Sequence, residues 1–220
     1  MFARVLSSSV SRHASRSVVK TAPRWIPAVS RPSRPLIMRF ASSTSTPSFI
    51  DPTDAEAIKA LEEGTQKLEE GDLEGATQCY ERSVQIRRTA HTLYNLGVIR
   101  YHAKDYDAAI DAWLESIDME PRSADAHTNL ASAYIMSPLS RPELALKHLR
   151  IAHRLAPDDP EICFNLAAVL EAGGHLEEAL SYYKQSKDRG IERAAVNIRN
   201  VGGKLLAKKL KGHEDAEDKQ

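Results

Sequence analysis

Asparagine recurs at one phase in the middle of this chain: Asn95 in Tyr-Asn-Leu, Asn129 in Thr-Asn-Leu and Asn165 in Phe-Asn-Leu. A primary amide offers both a donor and an acceptor, which matches a peptide backbone held extended. Tyr94, Val98, Tyr101 and Phe164 lie beside these amides in the sequence and could supply apolar and aromatic anchors of the kind that dominate binding hot spots. The chemistry on offer is recognition. The eight His residues do not fall at metal-ligand spacing, and neither H-E-x-x-H nor a zinc-spaced Cys pair occurs. No phosphate-binding glycine loop and no G-x-S-x-G turn is present. No catalytic, metal or cofactor site is therefore expected. Cys79 and Cys163 are far apart in sequence and read as reduced, buried small residues.

The elements that must position these amides repeat as well. The small residues Gly64, Gly97, Ala131 and Ala167 recur at a step of about 34 residues, with two extra residues in the third copy. Ala76, Ala109, Ala145 and Ala179 follow at a second phase, and Tyr80, Trp113, Leu149 and Tyr183 at a third. Small residues suit two helices of a hairpin that approach closely, and the large ones fill the space between hairpins. Thr53-x-x-Glu56 and Ser140-x-x-Glu143 have capping-box spacing, Asp159-Pro160 reads as an N-cap with proline at the first helical position, and Asp72 and Asp105 open further helices. Pro138 and Pro142 bracket a lengthened turn in the third copy.

The pattern resembles the tetratricopeptide repeat, W-x2-L-G-x2-Y, then A-x3-F, then P. Copy two carries it as Leu93, Leu96, Gly97, Ala109, Trp113 and Pro121, and copy three as Leu130, Ala131, Tyr134, Ala145, Leu149 and Pro157. Copy four has Leu166, Ala167, Leu170, Ala179 and Tyr183. Copy one keeps Gly64, Ala76 and Tyr80 but has Glu63 and Lys67 where apolar residues are expected, as befits the outer end of a stack. The resemblance implies an all-α fold, a right-handed solenoid of about four helix hairpins over residues 54–201. The repeats would span about 57–89, 90–123, 124–159 and 160–190, with a capping helix at 191–201 that Gly202-Gly203 ends. It also implies a concave groove lined by the first helix of each hairpin. Tyr94, Asn95, Val98, Tyr101, Asn129, Phe164 and Asn165 would face a protein or peptide partner there, along with Leu61, Thr65 and Leu68. The family's clamp for chaperone C-terminal carboxylates uses Lys, Asn and Arg at places that hold Leu61, Thr65, Asn95, Asp125 and Asn129 here. Only Asn95 matches, so that ligand is not expected.

The ends of the chain differ from the middle. The 30 Lys and Arg balance 30 Asp and Glu, but residues 1–50 contain no acid. Eight of the cations lie in residues 1–40, so the remaining chain carries a formal charge of −8, which disfavours phosphate-driven nucleic-acid binding. An Arg-rich, Ser-rich, acid-poor N-terminus reads as a mitochondrial transit peptide over residues 1–40, cut near Phe40/Ala41, followed by a linker at 41–53. A basic tail for RNA or anionic lipid and a plastid signal are the other readings. The lack of a hydrophobic sorting segment directs the expectation to the matrix or the matrix face of the inner membrane. Residues 202–220 read as a basic segment, through which Lys204, Lys208 and Lys209 could touch a membrane peripherally, and a disordered acidic tail. Three roles fit: a mitochondrial scaffold or assembly factor, a mitoribosome- or RNA-associated factor, and a permanent accessory subunit of an enzyme. The oligomeric state is left open.

Overall fold

A computed structural model describes the backbone of residues 51–217 and the side chains of residues 51–211. The expected import segment, nearly all of the linker and residues 218–220 lie outside the described residues. Those described form nine helices and no strand: α1 (Pro52–Glu69), α2 (Leu73–Ile86), α3 (Ala90–His102), α4 (Tyr106–Met119), α5 (Ala124–Met136), α6 (Pro142–Leu155), α7 (Pro160–Ala172), α8 (Leu176–Asp188) and α9 (Ala194–Glu217). The first eight helices pair in sequence as antiparallel hairpins, and consecutive hairpins stack, with α9 against α8 at the end. The result is an all-α solenoid.

The small-against-large pattern shapes the hairpins. A Cβ built on Gly97 would stand 2.5 Å from Trp113 Nε1, and one on Gly64 would stand 2.8 Å from the Tyr80 ring. At these two positions the facing ring leaves room for glycine only, and the Trp113 indole N–H donates to the Tyr94 carbonyl at 3.0 Å. A second device closes three of the four hairpins. The hydroxyls of Ser83, Ser116 and Ser186 each donate across 2.8 Å to the carbonyl of the residue 26 positions earlier: Ala57, Ala90 and Pro160. In the third hairpin, buried Ala152 stands in the corresponding helix position.

The turns inside the hairpins share one construction. Gly71, Lys104 and Gly174 adopt φ of 84°, 63° and 79°. The next residue's amide bonds back to a carbonyl five residues earlier in each case (Asp72 to Lys67, Asp105 to Arg100, His175 to Leu170). This is a Schellman-type helix end. The third hairpin has Pro138 near this place, and proline cannot take a positive φ. Its turn is rebuilt with two more residues, and Arg141 N closes onto Tyr134 O at 2.8 Å.

Asp72, Asp105 and Asp159 cap their helices as the sequence indicates, accepting from Gly75, Ala108, Glu161 and Ile162 amides. Two other caps differ. Asp51, not Thr53, caps α1, because Pro52 fills the first helical position. Pro142 likewise starts α6 and leaves Arg141 at the cap without a side-chain bond, so Ser140 and Glu143 form no capping box. The capping box that does form is Thr89 with Thr92 on α3.

The C-terminal helix also departs from the expectation. It begins at Ala194 and runs unbroken through Gly202-Gly203 to Glu217. Ala194 and Val201 are fully buried, with Ile198 and Leu205 packed against the same core. This tertiary packing outweighs a local cost of about 1 kcal/mol per glycine.

Candidate functional site

The inner curve of the solenoid is built from the odd-numbered helices, and it is not uniformly open. At the first hairpin, Ile58 is half exposed, and Leu61 and Leu68 are partly buried. The next helix adds Tyr94, Asn95 and Val98, all partly buried. These residues form an accessible surface with an apolar floor. Further along, Asn129 is 2% exposed, Phe164 4% and Asn165 0%. The inner curve is therefore open on α1 and α3 and closed on α5 and α7, and of the expected row of amides only Asn95 is accessible.

Each amide is differently used. Asn95 Nδ2 turns back on its own helix, donating to His91 O at 3.0 Å with His91 Nε2 at 3.3 Å. Asn129 Nδ2 donates across to the Tyr94 hydroxyl at 2.9 Å, tying α5 to α3 along the inner curve. Asn129 Oδ1 and both amide atoms of Asn165 are buried without a protein partner. Burial, with Asp125 nearby, pushes the Tyr94 hydroxyl up to about 12, partly offset by the Asn129 bond. It is a neutral donor at physiological pH.

Tyr101 and Phe164 do not serve as groove anchors. Tyr101 is 7% exposed and packs edge-on to Tyr106 at 5.3 Å and against Trp113 at 5.8 Å. Phe164 meets Tyr183 edge-to-face at 5.4 Å and is covered by the Arg193 guanidinium, 4.4 Å from its ring centre. Arg193 also pairs with Glu161 at the start of α7, and Lys204 pairs with Glu171 near its end at 2.7 Å. Two ion pairs and one cation–π contact thus fasten α9 and the residue before it alongside α7. Asn197 Nδ2 donates to the Tyr183 hydroxyl at 3.1 Å, and that hydroxyl donates to Glu171.

Ile58 was not singled out in the sequence because its copy of the repeat is the least regular. Its signal is phase alone: it precedes Leu61 by three residues on the same helix face. The polar exceptions in that copy are explained by their surroundings. Lys67 pairs with Asp72 at 3.1 Å, and Glu63 lies 3.8 Å from Lys59.

Among the described residues, no three His, Cys, Asp or Glu side chains converge as a metal site would require. Cys163 is fully buried, and burial raises its thiol above the usual range, so it is held protonated. No helix of the described residues is long and apolar enough to cross a membrane.

A tetratricopeptide repeat family model matches residues 60–189. The TPR repeat-containing protein MJ1428 of Methanocaldococcus jannaschii is 29% identical over 141 residues, covering 60% of this chain and 24% of that protein. The chain therefore spans about a quarter of that relative's length. Among solved structures, MamA superposes with a TM-score of 0.62 at 22% identity, over 74% of this chain and 91% of MamA. A thermophilic TPR protein of Thermus thermophilus gives 0.57 at 18%, over 68% and 82%. The first TPR of Spaghetti (RPAP3), bound to the HSP90 peptide SRMEEVD, gives 0.51 at 24%, over 54% and 94%. With the hairpin geometry and the family match together, the chain belongs to the tetratricopeptide repeat family.

Proposed function

We propose that this chain is a non-catalytic protein–protein adaptor that grips a peptide segment of its partner on the open half of the inner curve, between α1 and α3. The observation that carries this reading is the accessible apolar floor of Ile58, Leu61, Leu68 and Val98 beside the Tyr94 hydroxyl and the Asn95 amide. A mixed floor of this kind accepts an apolar side chain and leaves polar groups for the main chain. A chaperone C-terminal carboxylate is disfavoured, because Asp125 stands where the family's clamp has a cation.

In the cell, the adaptor acts in mitochondria as an assembly or maturation factor for a multisubunit complex. Support for the compartment is the acid-free, Arg-rich N-terminus. The test is crosslinking and affinity recovery from isolated mitochondria, with the wild type beside Ile58→Glu combined with Asn95→Ala. Both side chains are at least partly exposed, so helicity by circular dichroism is expected to be unchanged while partner subunits are lost. Unchanged recovery overturns the groove reading. Deleting residues 1–40 is expected to leave the protein in the cytosol, and import of that truncation overturns the targeting reading.

A further inference from the structure

We propose that α9 is the first half of a fifth hairpin and docks a helix of another protein as the second half. The assignment rests on register. Asn200-Val201-Gly202 falls 35 residues after Asn165-Leu166-Ala167, where the earlier steps are 34 and 36. Ile198-x2-Val201-Gly202-x2-Leu205 then reproduces the first-helix pattern of the repeat. The packing agrees, since Val201 is fully buried and Ile198 and Leu205 lie against the same core. The chain does not turn back to complete the pair. The turn position held by Gly71, Lys104 and Gly174 falls on Lys209, and α9 continues through it to Glu217.

The other hairpins state what belongs on the vacant face. In the first, second and fourth, the second helix carries Ala-x3-aromatic-x2-Ser: Ala76-Tyr80-Ser83, Ala109-Trp113-Ser116 and Ala179-Tyr183-Ser186. The ring closes on the small residue of the first helix, as Tyr80 does on Gly64 and Trp113 on Gly97. The serine donates to the carbonyl seven residues before that small residue. In α9 the corresponding places are Gly202 and the Ala195 carbonyl, and Leu206 stands where Tyr101 packs on Trp113. Nothing lies within 4 Å of a Cβ added at Gly202, against 2.5 Å at Gly97, and Leu206 is 59% exposed, against 7% for Tyr101. Glycine weakens a helix interior, and here no described neighbour uses the space it leaves.

The occupant is therefore a helix antiparallel to α9, with an alanine, an aromatic four positions later and a serine three beyond. All four second helices also have an acid in their first turn (Glu74, Asp107, Glu143 and Glu177). The same acid in the occupant falls near Lys208 and Lys209. The acids of α9 begin at Glu214, beyond the 14-residue span of a helix such as α4 that starts opposite Lys209. This chain does not supply the stripe itself. None of Phe2, Trp25, Phe40 and Phe49 follows an alanine by four, and residues 206–220 hold no aromatic. In a second copy, Tyr80, Trp113 and Tyr183 are all buried in their own hairpins.

The probe is a labelled synthetic peptide of residues 105–120, which carries the Ala109-Trp113-Ser116 stripe, titrated with the full chain by fluorescence anisotropy. Binding to the wild type is expected. Trp113→Ala in the peptide keeps its charge and should weaken binding at least about tenfold, as loss of a buried aromatic anchor does. Gly202→Gln in the protein fills the vacant place and should abolish binding. The space around Gly202 is open, so helicity by circular dichroism should be unchanged in that variant. Ile58→Glu with Asn95→Ala, which alters the inner curve on other helices, should leave this binding intact, so the two surfaces succeed or fail separately. Binding that survives Gly202→Gln or the peptide's Trp113→Ala overturns the proposal, as does binding lost only in the inner-curve variant. So does absence of peptide binding. Dimerisation of the chain that Gly202→Gln removes, followed by analytical ultracentrifugation, also overturns it, because a second copy would then be the occupant.

Discussion

At the scale of single residues, the third hairpin holds an unusual pair. His127 Nε2 lies 3.1 Å from the Pro121 carbonyl, which can only accept, so this nitrogen carries the proton. His127 Nδ1 is then the acceptor for His148 Nδ1–H at 2.9 Å, and the rings stack with centroids 5.1 Å apart. Burial, then the neighbouring His127 and Lys147, pull His148 down to about 4. Burial also lowers His127, with Arg154 adding to the effect and the Pro121 carbonyl opposing it. Both are bases held neutral by the fold. The unfolded chain takes up protons as pH drops through about 6.5, while folded His148 refuses them until nearer 4. Stability from this pair is complete above the unfolded value and is lost as pH falls through that window. The thermal midpoint should therefore drop on acidification from pH 7 to pH 4.5, by unfolding followed with circular dichroism. His148→Leu should shrink that drop, and an equal drop in the variant would remove the pair as its cause. Asn165 gives a second residue-scale expectation. Its buried amide has no partner, so Asn165→Leu should be neutral or stabilising within about 1 kcal/mol in denaturant titration.

At the scale of elements, the helix ends separate what the sequence makes legible from what it hides. Asp72, Asp105 and Asp159 were readable because capping is settled within four residues. Thr53 and Ser140 misled because a proline one or two positions away moved the helix start. Lys104 shows the same locality from the other side. It occupies the left-handed turn position that Gly71 and Gly174 hold in other hairpins, at φ 63°. A non-glycine residue is strained there by about 1 kcal/mol. Lys104→Gly should raise the unfolding free energy by up to ~1 kcal/mol in denaturant titration, with no change in partner recovery. The converse change at Gly97 should be harmful. Gly97→Ala forces a methyl group against Trp113, at a cost of about 1–3 kcal/mol.

At the scale of the whole molecule, the phase of the asparagine row was legible and its accessibility was not. Phase follows from a step of about 34 residues within the chain. Burial of Asn129 and Asn165 depends on how far the stack winds and on what closes its end, which are sums over many contacts. The same limit applies to Gly202-Gly203. Read locally, two glycines end a helix, but burial of Val201 and the Lys204–Glu171 pair carry α9 through them. The two halves of α9 should consequently behave differently when removed. Truncation after Leu205 should leave thermal stability unchanged. Truncation after Gly190 uncovers the bed of Ala194 and Val201 and should lower stability by more than about 3 kcal/mol.

The bond between Asn129 and Tyr94 has a mechanical meaning. It is a tie across the inside of a curved stack, where a change in curvature alters distances between successive odd-numbered helices. A peptide N–H that donates to the Tyr94 oxygen competes with Asn129 for it and loosens that tie, and the stack gains compliance between its second and third hairpins. Occupancy at one end would then be reported at the other as a change in pitch, readable as a shift in fluorescence energy transfer between dyes on α1 and α9. In this molecule, the coil spring and the hand that compresses it would share one hydroxyl group.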